Sequence, residues 1–204
     1  MPSAAILNGG RAVRYGGADK GALVVQGRTI RDRQLGMLAA VSDDIMIVGG
    51  APVPGSGAVR WIPDRQPGDG PLAGLEAACL AARHDLVFVL ACDMPAVTSA
   101  FVTWLLSQAS DAGGDYDIVV PRTGRGYHPL CAVYRRQTCL PVVSAHLAAR
   151  QLAVRSLFPA LRVREVSDAA LAAAGHPLQL LANINTPAEH EALASSIAHK
   201  AHEL

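Results

Sequence analysis

The sequence predicts an α/β protein, a three-layer sandwich with a mostly parallel, Rossmann-like central sheet. Three observations carry that expectation. Short β-rich runs alternate with helical Ala/Leu-rich stretches along the chain. Half of the 204 residues are hydrophobic but only 4% are aromatic, which favours helices packed on a sheet over an aromatic-rich β-sandwich. The clearest run, LVFVLA at Leu86–Ala91, is continuously apolar, as a strand covered on both faces must be.

The elements follow in order. Residues 4–7 form an apolar strand that leads into a Gly/Arg loop. Thr29 caps a helix over 30–40, with Ile30, Leu35 and Leu38 near one face. Residues 45–48 are a buried strand ending in Gly49-Gly50, and 59–62 form another. Three prolines, two glycines and two aspartates make 63–71 a loop, and 72–82 is helical. The Leu86–Ala91 strand stops at Cys92-Asp93-Met94-Pro95, where proline prevents further ladder pairing. Thr98 or Ser99 caps a helix through Leu106. Residues 118–120 are a short strand, 122–129 a basic Gly-containing loop, 131–134 a strand, 140–149 a helix and 161–166 an alternating strand. The last helix has the fullest local signature: Thr186 at the N-cap, Pro187 at N1 and Glu189 completing a capping box. No repeat or linker interrupts the chain, so residues 1–204 are expected to form one domain.

The bulk properties narrow the function by exclusion. A formal net charge of +1 supplies no general attraction to nucleic acid or an anionic membrane, so any anion site must be local. No apolar stretch approaches the roughly 20 residues needed to span a bilayer. The N-terminus lacks a basic region and a signal-peptide core. Cys79, Cys92, Cys131 and Cys139 are far apart, without C-x-x-C spacing, and read as buried thiols in a reducing compartment. The expected location is the cytoplasm.

Ligands of such sheets bind beyond the carboxyl ends of the strands, so the loops at 8–20, 63–71 and 92–95 should share one edge. The first, NGGRAVRYGGADK, brings four glycines, two arginines and a lysine together. Glycines let backbone N–H groups approach an anion, and Arg11, Arg14 and Lys20 can neutralise it. The residues around Lys20 do not match a Walker A loop, and no dinucleotide fingerprint is present. The competing reading is a basic surface loop. Asp93, directly after the central strand, can hold Mg²⁺ on phosphate oxygens or cap its own turn. A phosphate loop at the same edge favours the metal. In the third loop, Asp64 can accept from guanine N1–H and N2–H₂, accept from ribose hydroxyls or cap a turn, whereas Asp69 reads as a turn cap.

These stretches, in this order, resemble the molybdenum cofactor guanylyltransferases. That family's LAGG and R-M-G-G-x-D-K correspond here to Leu7-Asn8-Gly9-Gly10 and Arg14-Tyr15-Gly16-Gly17-Ala18-Asp19-Lys20. Its aspartate followed by GPLAG corresponds to Asp64 and Gly70-Pro71-Leu72-Ala73-Gly74, and its cysteine-aspartate to Cys92-Asp93. The segment Arg125-Gly126-Tyr127-His128-Pro129-Leu130 resembles the one ending H-P-L, and Asn183-Ile184-Asn185-Thr186-Pro187 resembles N-x-N-T-P. The resemblance spans nearly the whole chain. The first motif is common to many nucleotidyltransferases, whereas GPLAG with NINTP is far more specific. The chain departs from the pattern twice: Asn8 replaces a small alanine, and Gly49-Gly50 stands where some members carry an asparagine near the nucleotide.

The resemblance implies a nucleotide-diphosphosugar transferase-like fold and transfer of GMP from GTP to molybdopterin. It implies a nucleotide site of Leu7, Asn8, Gly9, Gly10, Lys20, Asp64 and Asp93, with Mg²⁺ on Asp93. Lys20, Arg14 and Asp93 would carry catalysis, while His128, Asn183 and Asn185 would face molybdopterin. His128 also reads as an ordinary loop residue, and Asn185 as one that satisfies backbone at the strand–helix junction. Molybdoenzymes or their chaperones are the implied recipients of the product. Two other readings compete: a nucleotidyltransferase using CTP or another phosphate acceptor, and a non-catalytic nucleotide-binding module. The second would be favoured by loss of Lys20 or Asp93, and both are present.

Overall fold

The computed structural model describes residues 1–8, 20–25, 27–50, 52, 58–63 and 68–184. The expected final helix and its capping box lie outside them. Strand β1 (Ser3–Leu7) is the centre of the sheet, pairing in parallel with β4 (Asp44–Val48) on one side and β6 (Leu86–Ala91) on the other. Beyond β4 lies the short parallel strand β5 (Arg60–Ile62). Beyond β6 lies β11 (Cys131–Arg135), which is antiparallel, followed by β9 (Ile118–Thr123), antiparallel to β11. Two reversals return β9 to the direction of β6, and β12 (Val163–Ser167) runs parallel to β9. Leu7, Val48, Ile62, Ala91, Thr123 and Ser167 therefore end strands at one edge.

Alternation along β1 separates two cores. Ala5 and Leu7 pack with residues of α2 (Gly70–Ala81) and α4 (Arg136–Ala148), among them Leu72, Leu75 and Val143. Ala4 and Ile6 pack on the other face with Leu38 of α1 (Ile30–Leu38), Phe101 and Leu105 of α3 (Ser99–Ser107), and Leu171 of α5 (Asp168–Ala173). The expected three layers and mostly parallel sheet are found. No helix among the described residues is long and apolar enough to cross a membrane. No disulfide joins the four cysteines, and burial pushes the Cys79 thiol up to about 12.

Several local expectations hold in detail. Thr29 Oγ1 accepts from Asp32 N at 3.0 Å, and Thr98, rather than Ser99, caps α3 through Phe101 N at 3.3 Å. Others are corrected. The buried side of α1 is Ile30, Arg31, Gln34 and Leu38, with Leu35 only partly covered, so polar residues complete the stripe. The basic stretch 122–129 is mostly a hairpin: β9 runs on through Pro121 to Thr123 and turns into β10 (Gly126–Tyr127). Helix α4 starts four residues earlier than expected and contains Pro141. A small hairpin, β7 (Ser110–Asp111) with β8 (Gly114–Asp115), and helix α5 have no counterpart in the sequence reading. Asp69 occupies the N-cap of α2, but its side chain caps nothing and instead takes a bond from Arg150 Nη1 at 2.6 Å.

Candidate active site

The turn after β6 carries Asp93. Cys92 N donates to Leu7 O at 3.2 Å and Met94 N to Ala91 O at 3.3 Å, so the chain reverses immediately beyond the sheet edge. Lys20 arrives from a separate stretch. It begins a single 3-10 turn (Lys20–Ala22), closed by Leu23 N to Lys20 O at 3.2 Å. That turn is fastened to the start of α1 by Ile30 N to Leu23 O at 2.9 Å. The Lys20 ammonium reaches Asp93 Oδ2 at 3.0 Å, with side chains 20% and 15% exposed.

A third segment closes on the same carboxylate. Asn183 Nδ2 donates to Asp93 Oδ1 at 3.3 Å, and Ile184 N donates to Asp93 O at 2.9 Å. Ile184 is buried with Val25 and Ile30, which anchors this segment to the start of α1. Three chain regions, separated by 73 and 90 residues from Asp93, thus meet at one group.

The strand ends beside it are built for close approach. Asn8 N donates to Val48 O at 2.8 Å and Gly49 N to Ile62 O at 2.9 Å, extending the parallel ladder by one step. Gly50 has φ +70°, and a Cβ there would fall 2.6 Å from Asn8 Nδ2. The Asn8 carboxamide makes no hydrogen bond to a described residue. A Cβ on Gly74 would lie 3.4 Å from both Leu7 δ-methyls, so that glycine of GPLAG seats α2 against the end of β1.

Of the expected site residues, Leu7, Asn8, Lys20, Asp93 and Asn183 gather at this edge. Gly9, Gly10, Arg14, Asp64 and Asn185 lie outside the described residues. His128 stands in the β10–β11 connection, with its ring Nε2 2.8 Å from Thr123 Oγ1 and its N–H on Pro121 O at 2.9 Å. Burial pushes the His128 pKa below the usual imidazole value; Arg125 acts the same way and Asp168 opposes. The shift favours the neutral ring, whose Nε2 is engaged within its own hairpin.

Sequence reading missed two features. Beside His128, Arg122, Thr123, Glu165, Ser167 and Asp168 line a cleft of about 300 Å³ at the ends of β9 and β12. Glu165 there takes bonds from Arg122 Nη1 at 2.9 Å and from the Tyr127 hydroxyl. Gln34 is the other feature. It is 2% exposed and donates through Nε2 to Ala91 O at 2.8 Å and Met94 O at 3.2 Å. Its spacing, four residues from both Ile30 and Leu38, was the one signal in the sequence, and its polarity masked it.

Chemically, the site offers one ammonium and one carboxylate at a ligand edge. A lysine binds phosphate as a compact charge. No group of three His, Cys, Asp or Glu comes together among the described residues, so they form no all-protein metal cage. A single carboxylate with spare lone pairs is the donor set by which Mg²⁺ is held jointly with substrate phosphates. Asp93 accepts one N–H on each oxygen from Lys20 and Asn183, and so fits that use.

Residues 4–166 match the family model described as the MobA-like NTP transferase domain. The chain belongs to that family. The molybdenum cofactor guanylyltransferase of Desulfosudis oleivorans is 35% identical over 194 residues, covering 94% of each chain. Two solved structures share the fold at lower identity. Molybdopterin-guanine dinucleotide biosynthesis protein A of Archaeoglobus fulgidus superposes with a TM-score of 0.81 at 22% identity, over 97% of this chain and 99% of that one. The 2-C-methyl-D-erythritol 4-phosphate cytidylyltransferase of Thermus thermophilus gives 0.66 at 17%, over 98% and 100%. The sandwich is thus that of the nucleotidyltransferases, as expected.

Proposed function

We propose that this chain transfers GMP from GTP to the terminal phosphate of molybdopterin, forming molybdopterin guanine dinucleotide and releasing pyrophosphate. Family membership and the 35% identical guanylyltransferase support the reading. The structural observation that carries it is the Lys20–Asp93 pair, 3.0 Å apart at the edge where such sheets bind ligands.

An oxygen of the molybdopterin phosphate attacks the α-phosphorus of GTP. A new phosphoanhydride bond forms as the bond to the β-phosphate's bridging oxygen breaks, and pyrophosphate leaves with that electron pair. A phosphate monoester has a second pKa near ~6, so the nucleophile is largely dianionic at neutral pH and needs no base. Positioning and charge neutralisation are what remain for the protein. Lys20 neutralises phosphate charge, helped by Arg14 and the amides of Gly9 and Gly10. Leu7 and Asn8 border the nucleotide, and Asp64 accepts from its base or ribose. His128, Asn183 and Asn185 face molybdopterin. Mg²⁺ held by Asp93 supplies Lewis-acid stabilisation of the developing phosphate charge.

Residues 1–204 act in this reading as one cytoplasmic domain that passes its product to molybdoenzymes or their chaperones. The deciding experiment incubates the protein with Mg²⁺, molybdopterin and each of the four NTPs, then weighs the product. A GMP adduct with one pyrophosphate released is expected. A CMP adduct instead reassigns the base, and no adduct with any NTP removes the enzymatic reading.

A further inference from the structure

We infer that Gln34 is a positioning residue for Asp93, acting through the turn that carries the carboxylate. The inference rests on the role given to Asp93 above. One side-chain nitrogen donates to the carbonyls on both sides of the Cys92-Asp93 pair, Ala91 O at 2.8 Å and Met94 O at 3.2 Å. The bonds close a ring across the turn, so its two ends cannot separate without losing at least one of them. Because both partners are carbonyl oxygens, the facing atom must be the amide nitrogen, and the orientation of Gln34 is settled by its partners.

The clamp adds to longer bonds at the two ends of the turn. Its internal bond, Met94 N to Ala91 O, is 3.3 Å long and Cys92 N to Leu7 O is 3.2 Å, while Ile184 N holds Asp93 O at 2.9 Å. Gln34 Nε2 to Ala91 O is the shorter contact, and it comes from a capped helix. Helix α1 is also packed on the 3-10 turn that starts with Lys20. The helix therefore references both members of the Lys20–Asp93 pair to one rigid element.

The side chain is almost fully buried, yet its Oε1 has no hydrogen-bond partner among the described residues. A buried acceptor left unpaired is costly, and an apolar residue of similar length would avoid that cost. What the glutamine supplies that such a residue could not is the pair of bonds to the turn.

The test uses Gln34→Met, which keeps length and fills irregular space, and Gln34→Glu, which keeps shape but turns a carboxylate toward the two carbonyls. Three quantities are read on the full chain: kcat and KM for GTP, amide exchange of Met94 and Ile184, and the melting temperature. Gln34→Met is expected to lower kcat about tenfold or more, as a misplaced charge-stabilising group does, while KM stays within about threefold. Exchange at Met94 and Ile184 should quicken by about tenfold, with the melt moved by no more than about 4 °C. Gln34→Glu should be slower than Gln34→Met. Parent-like kcat or exchange in Gln34→Met overturns the inference. Failure of both variants to fold overturns it as well, because Gln34 would then be a residue of the core. Asp93→Asn, run alongside, separates the two readings: if it too turns over normally, the role of Asp93 has failed rather than the clamp.

Discussion

The two ends of the sheet's central strands carry the same chemistry to opposite purposes. At the lower end, Asp44 is 2% exposed and fully committed. Its Oδ1 takes two bonds from Arg60, at 3.0 and 2.6 Å, and its Oδ2 takes Ser3 Oγ at 2.6 Å and Arg83 N at 2.9 Å. Ser3 Oγ in turn accepts from the amides of Arg83 and His84. At the upper end, Asp93 takes one bond on each oxygen among the described residues, from Lys20 and Asn183, and its side chain keeps 15% exposure. Saturation marks a carboxylate that ties elements together; spare lone pairs mark one that can take a ligand.

The largest expected effect comes from breaking the lower end. Asp44→Ala leaves the Arg60 guanidinium with Ala81 O alone and the buried Ser3 hydroxyl without its acceptor, so the loss should be about 3 kcal/mol, the low end for a broken buried pair because Arg60 is 28% exposed. For a chain of this length that is a melting temperature lower by about 6–12 °C. GTP turnover per folded molecule should stay near the parent's. The pH dependence has a definite sign. Burial is the largest influence on Asp44 and raises its pKa, but bonds from Ser3, Arg83 and Arg60 outweigh it and hold the folded value below 3.8. Its contribution is therefore present above 3.8 and lost as pH falls through the lower folded value. Acid melts of parent and variant should converge below that value and diverge above it.

Breaking the upper end should do the reverse. Asp93→Asn is nearly isosteric at a strand end and should leave the melt within about 4 °C. Turnover should fall by about 10²–10³, the scale of losing one preorganised charge-stabilising group. Pyrophosphate release measured beside a thermal melt gives both numbers. Near-normal turnover would return Asp93 to a turn cap and erase the contrast between the two carboxylates.

How far each end was legible in the sequence follows from the same physics. Apolar runs mark strands whatever surrounds them, so β1, β4 and β6 were readable, as was the gathering of Leu7, Lys20 and Asp93 at one edge. Gln34 was not, because periodicity registers apolar residues, and a buried glutamine looks like a surface position until the end of β6 is placed against it. Asp69 looked like a cap from its sequence neighbours, but Arg150, 81 residues away, takes its carboxylate. The stretch 122–129 reads as loop because Pro121 and Gly124 interrupt the pattern. Yet Pro121 extends β9 beside Val166 of β12, and Gly126 at φ +105° begins the return strand β10. The Asp44 network was hidden too, since four of its members lie 39 to 81 residues from their partners.

The smallest expected effect concerns the upper ends of β1 and β4, where an open side chain is bordered by a glycine rather than by a partner. Gly50→Ala carries two separable costs. An L-residue at φ +70° loses about 1–2 kcal/mol against glycine. Its Cβ would also sit 2.6 Å from Asn8 Nδ2, and the carboxamide must swing away to relieve the contact. Asn8→Ala alone should change stability by less than about 0.5 kcal/mol, since that carboxamide bonds to no described residue. The double variant should then be more stable than the sum of the single effects predicts, by about 0.5 kcal/mol or more, because the Nδ2 contact is gone and only the backbone angle and the 3.2 Å approach to Asn8 O remain. Urea unfolding of all four proteins measures the coupling. Strict additivity would mean that the Asn8 side chain moves aside without cost, and that the glycine is required by its backbone surroundings alone. A positive coupling means that Gly50 is also there to leave room for the Asn8 amide at this edge of the sheet.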